Sequence, residues 1–261
     1  MSFNLGHGRE LSDAPGIIGL SESELPPLPD EAITNPALGL IDPRSFFKAP
    51  GNRFEIEIGC GKGPFILESA KASPDTNYFG IEWAREFYLY TADRLRRAGV
   101  QNARMLRTDA TDFFRWRVPS GVASVIHLYF SDPWPKAKHH KNRVVQHRFL
   151  AECWRVLAPQ GELRVVTDHD DLWEWDRCHF AVWTSRSLYD AWIADGCKQE
   201  VGVVPATSLP AGLSPGIAPF AAEPFTPPVW VGEGQTVGTN YEKKMCGDFK
   251  EPHSVTLKKN G

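Results

Sequence analysis

Arg53-Phe54-Glu55-Ile56-Glu57-Ile58-Gly59-Cys60-Gly61-Lys62-Gly63-Pro64-Phe65-Ile66-Leu67 is the stretch that decides the fold. Phe54 to Ile58 alternates apolar and acidic residues, the period of a strand, and runs into a cluster of glycines that makes a tight turn. Pro64 then opens an apolar run that reads as a helix, a residue suited to a first turn because that position has no use for its missing N–H. Asn77 to Glu82 reads as a second strand. Ala84 to Ala98 reads as a helix closed by Gly99, with Arg94, Arg96 and Arg97 placed at the negative end of its dipole. The unit is strand, helix, strand.

The alternation continues downstream. Ala103 to Leu106 and the strongly apolar Val122 to Phe130 read as strands. Arg143 to Leu157 reads as a helix whose inner face is Val145, Phe149, Leu150, Cys153, Trp154 and Leu157. Pro159-Gln160-Gly161 turns the chain into a further strand, Glu162 to Thr167. Such alternation implies an α/β fold with a mostly parallel sheet covered by helices on both faces. Residues 1–52, rich in Pro and Gly, read as an N-terminal extension that is partly flexible. The domain proper is expected over 53–261, with a Pro/Gly-rich insertion at about 202–234 and a C-terminal piece from Thr239 to Gly261.

The 261 residues are enough to bury a full core, and they carry a formal net charge of -3. No run approaches the roughly 18 apolar residues of a membrane-spanning helix, so a cytoplasmic chain without membrane contact is expected. Five scattered cysteines without a Cys-x-x-Cys pair argue against a disulfide framework or a structural zinc site. The negative balance is not that of a general nucleic-acid binder, so any RNA contact has to come from a local patch. One exists from Lys136 to Arg148, while Glu22, Glu24, Asp30 and Glu31 sit in the extension.

In open α/β sheets, ligands bind beyond the carboxyl ends of strands. There the sequence places Glu57 with Gly59, Gly61 and Gly63, then Glu82, then Asp109. A glycine turn followed by an acid also fits a dinucleotide site. Against that, the third fingerprint glycine is replaced by Pro64, Glu57 would repel a pyrophosphate, and no Gly-Lys-Ser/Thr follows for a nucleoside triphosphate. S-adenosylmethionine has no phosphate and offers an ammonium group for one carboxylate and ribose hydroxyls for another. The fourth strand end reads Ser131-Asp132-Pro133-Trp134-Pro135-Lys136-Ala137-Lys138-His139-His140-Lys141-Asn142-Arg143. Stiff prolines, an acid, an aromatic surface and a run of cations are the parts of a nucleobase site beside a phosphate-binding strip.

This last stretch resembles the signature of the bacterial tRNA (guanine-N7-)-methyltransferase family. The resemblance covers about Phe54 to Trp175 and resumes at Thr239-Asn240-Tyr241-Glu242. It implies a Rossmann-like class I methyltransferase fold with a seven-stranded sheet. It implies S-adenosylmethionine held by Glu57, Glu82, Asp109 and Asp132, with Asp132 as the catalytic residue. It further implies that Lys136, Asp168, Thr239, Asn240, Tyr241 and Glu242 contact the substrate, a guanosine in the variable loop of tRNA. Lys138, Lys141 and Arg143 are expected on the RNA backbone. The chain departs from the pattern at Asn142, where a further Lys or Arg is typical, and in the length of its insertion.

Three rivals deserve comparison. Asp132-Pro133-Trp134 is similar to the Asp/Asn-Pro-Pro-aromatic motif of enzymes that methylate exocyclic amines of adenine or cytosine, but Pro135 falls after the aromatic residue. Gly212-Leu213-Ser214-Pro215-Gly216 fits a hydrolase pattern, yet Pro210, Pro215 and Pro219 preclude the strand and helix that a nucleophile elbow needs. A catalytically silent tRNA-binding protein would not need acids at all four strand ends. His139, His140 and His147, and Asp168 with its neighbours, read as an RNA-facing loop and a strand-end turn, so no metal is expected.

Overall fold

A computed structural model of the protein describes residues 5, 11, 18–199, 202–238, 242 and 251–261. The chain packs as two compact units, Met1–Pro119 with Pro227–Phe249 and Ser120–Thr226 with Lys250–Gly261, each taken over its described residues.

In the first unit strands and helices alternate: β1 (Gly19–Ser21), β2 (Arg53–Ile58), α1 (Pro64–Ala72), β3 (Thr76–Ile81), α2 (Arg85–Arg97), β4 (Ala103–Arg107) and α3 (Ala110–Arg117). The strands lie in the order β1-β4-β3-β2, all parallel, as helical crossovers require. Every residue of β3 is buried, which is why it reads as a continuous rather than an alternating strand. Phe79 of β3 stacks on Phe113 at 5.9 Å and meets Phe54 at 6.1 Å, so the aromatic residues of the sheet and of α3 form one core. Gly99 ends α2 with φ +70°, the left-handed conformation expected of it.

The extension is more structured over 18–52 than its composition implies. β1 pairs with β4 (Gly19 opposite Met105), and four 3₁₀ turns follow: Glu22–Glu24, Asp30–Ile33, Pro36–Gly39 and Pro43–Phe46. A three-residue strand and single turns are too short to leave a periodic signature. Helix α3 likewise has no place in the sequence reading. Its signal is Asp109, whose side chain accepts from the Asp112 N–H at 2.9 Å and so caps the helix.

The second unit contains β5 (Ala123–Tyr129), α4 (His147–Val156), β6 (Leu157–Thr167), α5 (Asp170–Thr184), α6 (Arg186–Ala194), β7 (Phe220–Glu223) and β8 (His253–Lys259). The order is β5-β6-β8-β7, with β5 and β6 parallel and β8 antiparallel to both its neighbours. Four of the six pairings in the two units are therefore parallel. Helix-covered, mostly parallel strands with a late antiparallel strand build the class I methyltransferase fold that the resemblance implies. The described residues contain eight strands rather than seven, the addition being β1.

Two boundaries move for physical reasons. Helix α4 begins at His147, not Arg143, because Gln146 is extended and its side chain donates back to the carbonyls of Lys141 (2.8 Å) and Arg143 (2.7 Å). Residues Ala137–Asn142 ahead of it form a 3₁₀ turn. Strand β6 starts at Leu157, absorbing the expected turn through a positive φ of 62° at Gln160. Part of the insertion is anchored to α4: Ser208 donates to Glu152 at 2.6 Å, and the Trp154 indole donates to the Pro219 carbonyl at 3.0 Å. From Pro227 onward it belongs to the first unit, where Trp230 packs on Phe65 at 5.7 Å and bonds Ser69.

Candidate active site

The end of β2 gives the first unit its ligand edge. Gly59, Gly61 and Gly63 have φ of 74°, 53° and 65°, values that L side chains rarely adopt. A Cβ added at Gly59 or Gly61 would meet nothing, so the backbone there borders open space; one at Gly63 would strike Thr91 at 2.3 Å. Helix α2 holds this loop. Thr91 donates to the Gly61 carbonyl at 2.7 Å and Arg94 to the Lys62 carbonyl at 2.9 Å.

Glu82, at the end of β3, accepts from the Gly61 N–H at 2.9 Å and from the Ala84 N–H at 2.8 Å. The loop and the acid expected to share a ligand are thus hydrogen-bonded to each other. Glu57 is buried, and its Oε2 has no hydrogen-bond partner among the described residues. Burial pushes the Glu57 carboxyl up to about 8, and the nearby charge of Glu82 adds to the shift. Glu82 is raised as well, by burial. Two neighbouring acids, one of them with a buried oxygen that no donor reaches among the described residues, beside glycines that leave space open, fit the ammonium and ribose hydroxyls of S-adenosylmethionine. Asp109 follows β4 on the same edge, since Leu106 pairs with Ile81, but it is exposed and its carboxylate caps α3. Trp83, 71% exposed beside Glu82, is not among the residues expected from the sequence; an aromatic residue directly after a strand-end acid was the available signal.

The second unit carries the other residues. Tyr129 ends β5, and the chain then adopts positive φ at two non-glycine positions, Phe130 (51°) and Trp134 (43°). Such conformations cost about 1–3 kcal/mol each and persist where the surroundings impose them. Between them Asp132 is exposed, its carboxylate accepting from the Trp134 N–H at 3.0 Å. Asp168 follows β6 and shares that strand-end edge, because Tyr129 pairs with Val166 in the parallel register. Lys136, Lys138 and Lys141 are exposed.

Arg143 differs from the expectation. Its side chain is 1% exposed and is paired with Asp171, so it presents no surface to an RNA phosphate. Glu242 also turns inward: its buried carboxylate accepts from the backbone N–H groups of Thr236, Val237 (3.0 Å) and Gly238 (2.8 Å), fixing a turn. Thr239, Asn240 and Tyr241 lie outside the described residues. Among the described residues no group of three or more His, Cys, Asp or Glu could hold a metal ion, and no helix is long and apolar enough to cross a membrane.

Residues 52–204 match the profile of a protein family described as "Putative methyltransferase". Two curated relatives bear the name tRNA (guanine-N(7)-)-methyltransferase. One, from Geobacter metallireducens, is 39% identical over 120 residues, 46% of this chain and 57% of the relative. The other, from Streptococcus pneumoniae, is 33% identical over 168 residues, 63% of this chain and 77% of the relative. Among solved structures, the aminoglycoside resistance methyltransferase NpmB1 aligns over 90% of this chain and 95% of its own, with 18% identity and a TM-score of 0.46. With the profile spanning more than half of the chain and a relative matched over most of its length, the chain belongs to the tRNA (guanine-N7-)-methyltransferase family.

Proposed function

We propose that the protein transfers a methyl group from S-adenosylmethionine to N7 of a guanosine in tRNA, forming 7-methylguanosine. The observation that carries this reading is the unpartnered, buried Glu57 oxygen beside the open Gly59–Gly61 backbone and Glu82, in a chain whose named relatives are tRNA (guanine-N(7)-)-methyltransferases. Glu57 holds the cofactor ammonium and Glu82 the ribose hydroxyls, with Asp109 further along the same edge. Trp83 offers a flat apolar surface for the adenine. When bound, the cofactor supplies an electrophilic methyl group on a sulfonium centre.

Guanine N7 has a free lone pair and no proton, so the protein does not need a base that removes one. Its contribution is position and electrostatics. Asp132, exposed on its strained turn, faces a ring that becomes cationic as the methyl group arrives; its negative charge stabilises that ring or orients it through N1–H and the amino group. Lys136 and Asp168 flank the base, and Lys138 and Lys141 take the backbone phosphates. Mass-spectrometric mapping of tRNA after incubation with the protein and labelled cofactor tests the reading. Label on guanine N7 is expected. Label on an exocyclic amine would replace the reading with its amino-methylating rival, and no label would remove the enzymatic reading.

A further inference from the structure

The run of cations after Asp132 contains one that does not point into solvent. The guanidinium of Arg143 is used on three sides: its Nε–H donates to the Pro133 carbonyl at 2.9 Å, its Nη1–H donates to the Asp171 carbonyl at 3.3 Å, and its Nη2 pairs with the Asp171 carboxylate. Its Cζ lies 5.2 Å from the centroid of the Trp175 ring. Asp171 and Trp175 both belong to α5, so one side chain ties the Asp132-Pro133-Trp134 turn to the first turns of that helix. Farther along α5, the Asp176 carboxylate is fully buried without a hydrogen-bond partner among the described residues, and the Arg143 charge acts on it.

Pro133 stands between the two strained residues. It has no N–H, and its carbonyl accepts the Arg143 bond within a turn whose backbone would otherwise relax at Phe130 and Trp134. Three directed donors from one planar group suit this task in a way that the single ammonium of lysine does not.

We propose that Arg143 is a positioning residue of methyl transfer: by clamping Pro133 to α5 it holds Asp132 in the orientation in which Asp132 meets the guanine. This rests on the function proposed above. It replaces the role of phosphate contact that the position of Arg143 in a basic run implies.

The test compares the parent with Arg143→Lys, Asp171→Ala and the double variant, using full-length protein, tRNA and S-adenosylmethionine. Asp171 has a side chain 59% exposed, so its replacement removes the clamp from the other end without opening the core. Each single variant is expected to lower the single-turnover rate at saturating tRNA and cofactor by about 10- to 100-fold, the scale of a misplaced reacting group. The cofactor dissociation constant should stay within about twofold of the parent, and the salt slope of tRNA binding should be unchanged. The double variant should be no slower than the slower single one, because both break the same clamp.

A saturated rate equal to the parent's in both single variants, with or without a lower melting temperature, overturns the positioning role. Additive losses in the double variant overturn it too. If the parent itself places no methyl group on N7, the functional reading fails and the positioning role falls with it. N7 transfer by the parent with undiminished variants sinks the positioning role alone.

Discussion

Glu82 already accepts two backbone N–H groups, one from the glycine loop and one from Ala84, so it shapes the loop to which the proposed function assigns the cofactor. Losing a charge-assisted hydrogen bond of this kind costs roughly 1.5–3 kcal/mol. Glu82→Ala is therefore expected to weaken S-adenosylmethionine binding by at least about tenfold in calorimetry, and an unchanged affinity would take Glu82 out of the site. Glu57 adds a pH dependence with a definite sign. Its carboxyl, held up to about 8 by burial, is protonated in the free protein at pH 7. A bound ammonium group favours the carboxylate, so binding releases a proton. Affinity should climb by up to about tenfold per pH unit and level off above pH 8. Titrations at pH 7 in buffers of different ionisation enthalpy should detect close to one proton released by the parent and none by Glu57→Gln.

The cations that follow Asp132 divide by element. Lys138 and Lys141 sit exposed on the 3₁₀ turn Ala137–Asn142, while Arg143 just past it is buried. Replacing Lys138 and Lys141 together with Ala should lower the log-log salt slope of tRNA binding by roughly 1.4–1.8 and leave cofactor affinity intact. An unchanged slope would mean that tRNA docks elsewhere. Helix α5 carries a second pH effect. Burial pushes the Asp176 carboxyl up to about 8, with the Arg143 charge opposing, against an ordinary value of 3.8. Between those limits the folded state holds a proton that the unfolded state has lost, so stability falls as pH rises. Asp176→Asn should flatten that slope by up to about 1.4 kcal/mol per pH unit, read from urea midpoints between pH 5 and 8. The elements show what a sequence makes legible. β2 to β6 and the helices α1, α2 and α4 stand out because each keeps either an alternating or amphipathic period or an unbroken apolar run over four or more residues. β1, β7 and the 3₁₀ turns are too short, and β8 follows a Pro/Gly-rich stretch that hides it. Glu57 and Glu82 are legible because strand ends locate them. The burial of Arg143 is not, because it depends on Asp171, 28 residues away, and Trp175.

At the scale of the whole molecule, chain order and spatial order disagree in the second unit. β8 lies between β6 and β7, both of which precede it, and Pro227–Phe249 of the first unit is made in between. A ribosome delivers these segments one after another. At about 5–20 residues per second, the 86 positions from Thr167 to His253 take roughly 4–17 s to emerge. Throughout that interval the edge of β6 that will receive β8 has no strand to pair with, an invitation to self-association. The ion pair of Glu162 and Arg164 on β6, at 2.6 Å, puts charge on that strand, a common guard against sticking. A chain cut before His253 would keep the edge open permanently. It is expected to accumulate in the insoluble fraction when synthesised in a cell-free system, whereas the intact chain stays in the supernatant. For this protein, vectorial synthesis leaves one flank of β6 waiting for a strand made 86 positions later.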